Sequence, residues 1–265
     1  LISYLLRTKF TKIYFGSRSS IKKVSLLNNK GIYILKSLSR TEESFYKKLK
    51  KRGYTIVLIH AEGGVHYKDN KSSILSFFDP VLLKYVDYNF VFGSAIKNDI
   101  IKYCGEKFKD KIIVSGEPRF DLLKPELNKF YSNKINIIKN KFQNDIILIN
   151  TNFSAANPIV GKDKIKAFFV NEPTYTEETK KILLKKIDTF SDVVEDYIKP
   201  IKEISRIFSD KQIIIRPHPS ESEYKYYKNL INCDNVYITK KGNVHEWILA
   251  ADCLIHYDCT TGIEG

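Results

Sequence analysis

The 265-residue chain contains no methionine, four cysteines and a single tryptophan. The cysteines are too few for a disulfide framework and none forms a CxxC pair, so we expect a reducing, cytoplasmic setting. No stretch approaches the roughly 18 uninterrupted apolar residues that a membrane-spanning helix needs, and no secretory signal opens the chain. Since 43% of the residues are hydrophobic and 28% are charged, the composition excludes an intrinsically disordered or collagen-like chain.

Charge is distributed unevenly along the chain. The net charge is +14; residues 1–145 carry 28 basic and 13 acidic residues, whereas residues 146–265 carry 16 basic and 17 acidic ones. A basic half favours a polyanionic partner, such as nucleic acid, an anionic membrane surface or a phosphate-bearing substrate. A lysine-rich solvated surface explains the same numbers equally well. Only seven of the basic residues are arginine, which argues against the reading of nucleic-acid bases.

Short β-branched or aromatic runs alternate with helical periodicities along the whole chain. This succession predicts parallel sheets with helices on both faces. It restarts near residue 145, so we predict two doubly wound, Rossmann-type lobes, 1–145 and 146–265, with a cleft between them. The first residues resemble the end of a helix and the last ones the start of another. Together with the absence of methionine, this leads us to expect a chain truncated at both ends.

Some of the predicted elements are specific enough to be compared directly with a structure. Residues 12–17 (KIYFGS) have the pattern of a strand, and residues 221–230 have that of a helix. A long helical region, about 176–209, contains Pro200, which we expect to kink or split it.

Polar or glycine-rich segments follow the predicted strands, and ligands of open parallel sheets bind beyond the carboxyl ends of the strands. Five such segments are present: HAEGG (60–64), SGEPRFD (115–121), NTNFS (150–154), RPHPSES (216–222) and HYDCTTGIEG (256–265).

The RPHP segment places a histidine in a rigid backbone. His218 lies between two prolines, and Arg216 lies two residues earlier on the same side of the strand. A guanidinium group binds phosphate oxygens in pairs and an imidazole donates one hydrogen bond, so this arrangement suits phosphate recognition. The alternative is a structural histidine in a proline turn.

The last segment reads as a strand end followed by a helix start. Thr260, Thr261 and Gly262 lie at that start, where backbone N–H groups and the helix dipole favour a phosphate. Glu264, one turn into the helix, is placed to accept hydrogen bonds from ribose hydroxyls. An ordinary helix cap is the alternative.

In combination, RPHP and the later His-x-x-x-Thr-Thr-Gly-x-Glu segment resemble the nucleotide-binding lobe of a family of glycosyltransferases from bacterial surface-carbohydrate (capsule and lipopolysaccharide) biosynthesis. That family is similar to the retaining Kdo transferases with the GT-B fold. The segments GSRSS (16–20), EGG (62–64) and GEPRFDLL (116–123) are similar to it as well, so the resemblance extends over nearly the whole chain. It implies a GT-B-like fold. It also implies that a CMP-activated sugar is bound by nucleotide-site residues that include His218, Thr260, Thr261, Glu264 and Arg216.

For catalysis, the resemblance implies two carboxylates at strand ends of the N-terminal lobe. One forms a covalent bond to the sugar, and the other moves the proton of the acceptor. We assign Asp121 as nucleophile and Glu62 as acid/base; the reverse assignment stays open, and Glu117 is a third acid nearby. The alternatives are a helix cap for Asp121 and a solvated loop acid for Glu62. Arg119 is a candidate partner for the carboxylate of the donor sugar.

We expect neither a metal nor a cofactor. His60 and His66 have no cysteine or acid at metal-ligand spacing, and no DxD pair is present. A CMP leaving group does not require dedicated magnesium coordination. P-loop, GxGxxG, GxSxG and HExxH motifs are also absent from the sequence.

The leading hypothesis is therefore a glycosyltransferase that moves Kdo or a related ulosonic acid from a CMP donor to a surface glycan, with retention by double displacement. Its acceptor would be an anionic glycolipid or polysaccharide, met in the cytoplasm or peripherally at the inner membrane face. One alternative is a CDP-polyol phosphotransferase of the teichoic-acid type. Another is a non-catalytic protein that binds polyanions or nucleic acid; it explains the basic half but not the two phosphate motifs, so we expect no nucleic-acid partner.

Overall fold

A computed structural model describes residues 12–60, 71–172, 176–223, 225–230 and 232–265. The chain divides into two compact units, with the division between Asp121 and Leu122. We call them the N unit and the C unit. No helix in these ranges combines the length and the hydropathy that crossing a bilayer requires.

The N unit contains a four-stranded parallel sheet in the order β1-β2-β3-β4. Its strands are β1 (Gly31–Leu35), β2 (Tyr54–Ile59), β3 (Tyr88–Val91) and β4 (Ile112–Val114). Its helices are α1 (Arg18–Leu27), α2 (Glu43–Lys51), α3 (Lys71–Phe77), α4 (Pro80–Leu83), α5 (Ser94–Cys104) and α6 (Pro118–Asp121), with 3-10 turns at Arg40–Glu42 and Glu106–Lys111.

Because these strands follow one another in chain order, right-handed crossovers bring their helices to the same face of the sheet. The burial of β1 shows this directly. Tyr33 and Leu35 are buried in the core of the unit, whereas Ile32 and Ile34 on the opposite face are 49% and 42% exposed.

The C unit contains a second four-stranded parallel sheet, in the order β7-β6-β5-β8. Its strands are β5 (Ile146–Asn150), β6 (Gln212–Arg216), β7 (Val236–Ile238) and β8 (Cys253–His256). Its helices are α7 (Pro125–Asn128), α8 (Ser132–Lys141), α9 (Lys162–Asn171), α10 (Glu177–Ile207), α11 (Val244–Ala250) and α12 (Thr261–Glu264), with 3-10 turns at Lys129–Tyr131 and Lys228–Leu230.

The order of strands reverses at β5, so helices cover both faces of this sheet. One core contains Val194 and Ile201 of α10, and the other contains Ile138 of α8 and Trp247 of α11. The reversal places a topological switch point between β5 and β8, and a doubly wound sheet binds its ligands in the crevice at such a point.

The division between the units lies ahead of the boundary near residue 145 that the sequence suggested. Ile138 and Phe142 pack into the same core as Leu148, Ile214 and Trp247, so the segment before β5 belongs to the C unit. With this division, residues 1–121 carry 23 basic and 11 acidic residues, a net charge of +12, and residues 122–265 carry 21 basic and 19 acidic ones, a net charge of +2.

Several predicted elements differ from the structure. Residues 12–17 form no strand, and Phe15 is 93% exposed. The helix predicted over 221–230 is replaced by turns and one 3-10 turn, and α9 was not predicted. Helix α10 runs through Pro200 without being split, because Val194, Ile198 and Ile201 are buried along its apolar side and this packing outweighs the unfavourable proline.

Candidate functional site

Three loops leave the carboxyl edge of the C-unit sheet side by side. They are residues 151–154 after β5, 217–222 after β6 and 257–261 after β8. Strand β5 lies between the other two, and Asn150 is in register with both Arg216 and His256. The loops therefore begin at the same level of the sheet, at its switch point.

The loops after β5 and β8 are joined by a hydrogen bond across the switch point. The Nδ2 group of Asn152 donates to the backbone carbonyl of Asp258 at 2.7 Å. Asp258 has a φ of 43°, in the left-handed region that residues other than glycine rarely adopt. Such conformations persist where the surrounding contacts determine them, and they concentrate at functional sites.

The loops after β5 and β6 are joined by Glu221, whose side chain is fully buried. Its Oε1 atom accepts hydrogen bonds from Thr151 Oγ1 at 3.0 Å, from the Phe153 N–H at 2.8 Å and from the His218 N–H at 3.0 Å. Its Oε2 atom accepts one from the Tyr227 hydroxyl at 2.9 Å. Burial, followed by the charge of Glu221, raises the pKa of Tyr227, so this hydroxyl stays protonated.

His218 is half-buried in the loop after β6, and its ring orientation is defined. Its Nδ1 atom accepts a hydrogen bond from the backbone N–H of Ser220 at 3.2 Å. A neutral imidazole that accepts through Nδ1 carries its proton on Nε2, which is then the donor. In this tautomer Nε2 is a hydrogen-bond donor, as binding to a phosphate requires. The phosphate-binding role of His218 stays a prediction.

Thr260 and Thr261 lie at the start of α12, as predicted, and both are partly exposed. The Oγ1 atom of Thr261 lies 2.6 Å from Cys259 Sγ, and Thr260 makes no side-chain cap. A Cβ atom at Gly262 would overlap the ring of His256, so α12 approaches β8 closely because this residue is glycine.

The carboxylate of Glu264 faces the interior of the C unit. The residue is 7% exposed, and Oε2 lies 3.3 Å from His245 Nε2 on α11. The other ring nitrogen of His245 lies 3.3 Å from the Tyr131 hydroxyl. Glu264 thus connects α12 to α11, which is an internal contact and not the ribose contact that the sequence predicted.

The side chain of Arg216 also makes its contacts within the C unit. Its side chain donates to the carbonyl oxygens of Lys241 at 2.6 Å and Gly242 at 3.0 Å, and its guanidinium carbon lies 5.2 Å from the centre of the Trp247 ring. Burial lowers the pKa of Arg216 to about 10. In the structure the Arg216 guanidinium thus holds the loop after β7. A phosphate contact of Arg216 stays a prediction.

The sequence alone did not identify Glu221, Thr151 or Asn150 as site residues. A signal was present for Glu221, which follows His218 by three residues in the PHPSE segment. Asn150, at the end of β5, is 3% exposed, and within the described part of the chain neither atom of its amide has a hydrogen-bond partner. Buried amides normally have such partners, so Asn150 is an exception at the switch point.

In the N unit, the predicted catalytic residues lie in the segment after β4. Asp121 ends the short helix α6, and Arg119 on the same helix lies 3.5 Å from the carboxylate of Glu117. Phe120 packs against Phe92, which follows β3, with ring centres 6.2 Å apart. Arg119 therefore has an acidic partner within its own loop, and Asp121 lies beyond the carboxyl ends of β3 and β4, as predicted.

Glu62 and His66 lie outside the described residues, so the predicted acid/base role of Glu62 stays a prediction. His60 is buried at the end of β2, with its ring 4.7 Å from that of Phe77. Across the described ranges, no three histidine, cysteine or carboxylate side chains are grouped so that they could hold a metal ion.

The sequence matches no model of a known protein family and no curated protein sequence at a significant level. Among solved structures, the UDP-GlcNAc 2-epimerase of Methanocaldococcus jannaschii, in complex with UDP-GlcNAc and UDP, has a TM-score of 0.54 and 18% identity, covering 90% of this chain and 58% of the epimerase. The enzyme of Neisseria meningitidis, bound to UDP-GlcNAc, has a TM-score of 0.51 and 15% identity, with coverages of 90% and 57%. S. aureus MnaA, solved with UDP, has a TM-score of 0.51 and 11% identity, with coverages of 90% and 55%.

This chain therefore spans less than two thirds of the length of each of these similar structures. At such low identity the similarity shows the fold alone. The two parallel sheets with alternating helices, one in each unit, form a GT-B-like fold of two Rossmann-type lobes, as predicted. Only the C-unit sheet is doubly wound; the described helices of the N unit cover one face of its sheet, which differs from the prediction.

Proposed function

We propose that this chain is a glycosyltransferase that uses a nucleotide-activated sugar as its donor. The observation that carries the proposal is the edge of the C-unit sheet, where three loops meet at the switch point and hold His218 with its proton on Nε2. A doubly wound sheet binds nucleotides at this place, and a fixed N–H donor stabilises the phosphate of the donor molecule.

Two further features support a nucleotide at this edge. The partly exposed hydroxyls of Thr260 and Thr261 add donors for phosphate oxygens. The buried amide of Asn150 offers both a donor and an acceptor, which is what the edge of a base or a ribose needs. The similar structures named above were solved with UDP-GlcNAc or UDP, which supports a nucleotide ligand for this fold. The choice of CMP rests on the sequence resemblance.

In the proposed reaction, Kdo or a related ulosonic acid is transferred with retention. The carboxylate of Asp121 attacks the anomeric carbon, and the bond from that carbon to the CMP phosphate breaks with its electron pair going to the phosphate. His218 Nε2–H donates to the departing phosphate, and Arg119 pairs with the carboxylate of the sugar. The hydroxyl oxygen of the acceptor then displaces Asp121, and its proton goes to Glu62.

The acceptor in this proposal is an anionic glycolipid or polysaccharide, met in the cytoplasm or at the inner face of the membrane. The N unit supports this by its net charge of +12. Helix α2 buries Tyr46 and Leu49 while exposing Lys47, Lys48 and Lys51, so its outer surface is basic. Basic surfaces of this kind attract anionic partners over a distance of about one Debye length, roughly 8–10 Å.

A binding experiment tests the nucleotide site. We expect CMP to raise the melting temperature of the protein, and the His218→Ala variant, which has no donor at this position, to bind CMP about tenfold more weakly, as loss of one charge-assisted hydrogen bond predicts. Calorimetry with CMP, CDP and UDP measures the preference among nucleotides. Mixed oligonucleotides serve as the control, since a polyanion-binding protein would be stabilised by them. The proposal fails if CMP, CDP and UDP all leave both the melting temperature and the calorimetric signal unchanged.

A second experiment tests the covalent step. After incubation with a CMP-activated ulosonic acid, intact-mass analysis should show one added sugar in the wild-type protein and in Glu117→Gln, and none in Asp121→Asn. A sugar that remains on the Asp121→Asn variant but is lost from Glu117→Gln would move the nucleophile to Glu117. Transfer of a polyol phosphate from a CDP donor without any adduct would instead identify the phosphotransferase alternative.

A further inference from the structure

The side chain of Glu221 is buried, and the described hydrogen-bond donors to its carboxylate are all neutral groups. They are the hydroxyls of Thr151 and Tyr227 and the backbone N–H groups of Phe153 and His218. Burying a charge without a cation is costly, so a carboxylate is retained at such a place only where hydrogen bonds satisfy its oxygens. Here three donors meet at Oε1, and two of them are backbone N–H groups, which can only donate, so Oε1 is the acceptor in these contacts.

These donors come from separate parts of the chain. Thr151 and Phe153 belong to the loop after β5, His218 follows β6, and Tyr227 lies in the segment that leads to β7. The Thr151 and Tyr227 hydroxyls are also 2.9 Å apart. One carboxylate therefore fixes the relative positions of three segments around the switch point.

Glu221 also closes the turn that contains the histidine ring. Its own N–H donates to the His218 carbonyl at 2.8 Å, while its carboxylate accepts from the His218 N–H at 3.0 Å. This double connection sets the path of residues 218–221. It thereby brings the Ser220 N–H to within 3.2 Å of His218 Nδ1, the contact that fixes the tautomer.

We propose that Glu221 is the positioning residue of the nucleotide site: through the turn at residues 218–221 it holds the His218 ring in place with Nε2 as the donor to the donor phosphate. Glu221 touches no ligand in this role. The part of the inference that concerns phosphate rests on the proposed function, whereas the part that concerns the histidine ring does not.

The ring can be observed directly in the protein without ligand. With ¹⁵N-labelled histidine, long-range ¹H–¹⁵N spectra distinguish the two tautomers, and the signals of His218 are identified by their loss in His218→Gln. We expect the Nε2–H tautomer to dominate in the wild type. In Glu221→Gln we expect a mixture, because the charge that anchors both N–H groups to Oε1 is removed and the Ser220 contact loosens.

Glu203 supplies the control. It is a glutamate of the same unit, but it lies on α10, where its Oε2 atom accepts from Arg206 Nη2 at 3.0 Å, and none of its described contacts reaches residues 218–221. Glu203→Gln should leave the His218 signals unchanged. If Glu221→Gln does not fold, as judged by circular dichroism, the milder variants Thr151→Val and Tyr227→Phe each remove one donor and should shift the tautomer ratio to a smaller extent. His218 signals identical to wild type in a folded Glu221→Gln protein, or in both milder variants, would overturn the inference.

CMP affinity gives the second measurement. We expect Glu221→Gln to bind CMP about tenfold more weakly than wild type and Glu203→Gln to bind it unchanged. A wild-type protein that binds no nucleotide refutes the proposed function, and the spectra of His218 still decide on the role of Glu221. Conversely, CMP binding that is equal in wild type and Glu221→Gln refutes the positioning role and leaves the proposed function intact.

Discussion

Each unit contains a buried carboxylate, and the two carboxylates differ in whether their hydrogen-bond donors are charged. In the N unit, Glu42 is 8% exposed and forms ion pairs with Arg18 and Lys22 of α1, with the Tyr46 hydroxyl 3.1 Å from Oε2. In the C unit, the donors described around Glu221 are neutral hydroxyls and backbone N–H groups. The same difference is seen in net charge, which is +12 for residues 1–121 and +2 for the rest.

The basic residues of the N unit therefore fall into two groups, those that form ion pairs within the unit and those that are exposed to solvent. Part of the basic excess of the N unit holds α1 in place, and only exposed side chains such as Lys47, Lys48 and Lys51 of α2 are available to an anionic acceptor. The C unit arranges its proposed phosphate site by geometry instead. The hydrogen bonds to Glu221 are buried and are therefore screened little by salt, so the C-unit loops should keep their arrangement at ionic strengths that weaken the N-unit surface.

The largest expected effect comes from substitutions in the two separate cores. Ile56 on β2 and Leu148 on β5 are both fully buried on central strands, so Ile56→Ala and Leu148→Ala should each lower the free energy of unfolding of their own unit by about 2–5 kcal/mol. Trp247, the only tryptophan of the chain, lies in the same core as Leu148 and reports on the C unit alone.

Urea titrations followed by tryptophan fluorescence and by far-ultraviolet circular dichroism measure this difference. Leu148→Ala should move the fluorescence transition to lower urea, whereas Ile56→Ala should move only the part of the dichroism transition that belongs to the N unit. If Ile56→Ala shifts the fluorescence transition as much as Leu148→Ala does, the two units unfold together and their stabilities are not separable.

The next effect concerns the charged carboxylate of the N unit. Burial alone would raise the pKa of Glu42, but hydrogen bonds from Lys22 and Arg18, together with their charges, outweigh burial and lower the pKa below its ordinary 4.5. A carboxyl with a lowered pKa in the folded state stabilises the fold above its unfolded-state pKa, and this contribution is lost as the pH falls through the folded-state value.

Glu42→Gln should therefore cost about 1–3 kcal/mol of unfolding free energy at neutral pH, because charged hydrogen bonds are replaced by neutral ones. The difference from wild type should shrink as the pH falls below 4.5. Urea unfolding followed by dichroism over a series of pH values measures it. The exposed Glu106, paired with Lys109 at 2.9 Å, provides the control, and Glu106→Gln should stay close to wild type throughout. A Glu42→Gln penalty that persists unchanged in acid would show that its ion pairs do not stabilise the unit.

Much of the fold could be predicted from the sequence, because the strands of a parallel sheet are continuous apolar runs. The run GIYIL has this pattern, and it forms β1 (Gly31–Leu35). Residues 12–17 have a similar local pattern, but no strand of the described sheet lies beside them, so they form none. The segment after Glu221 has helical periodicity, yet the carboxylate is drawn into the contacts of Thr151 and His218, and a helix cannot form around it.

Some features of the candidate site could likewise be predicted from the local sequence, and others could not. His218 could be predicted because its flanking prolines fix the backbone locally. The orientations of Arg216 and Glu264 could not, since they depend on Trp247 and His245, residues of a helix whose packing the local sequence does not reveal. Glu221 was missed because its role depends on donors far away in the sequence.

The smallest expected effect on stability concerns two turns, one from each unit, that lie at the carboxyl edge of the sheet. Asp258 in the C unit and Gly116 in the N unit both have positive φ, at 43° and 75°, and a Cβ atom added at Gly116 would meet no other atom within 4 Å. Alanine is strained in this conformation by about 1–2 kcal/mol, whereas glycine, asparagine and aspartate tolerate it. Gly116→Ala and Asp258→Ala should thus each cost about 1 kcal/mol of unfolding free energy through backbone strain alone, and Asp258→Asn should cost little. In Asp258→Ala the backbone strain falls on the loop whose carbonyl accepts the Asn152 hydrogen bond, so this variant should also weaken CMP binding, while Gly116→Ala should not. Urea titration and calorimetry separate the two effects. Equal CMP affinity in wild type and a destabilised Asp258→Ala protein would mean that the loop after β8 does not contribute to the site.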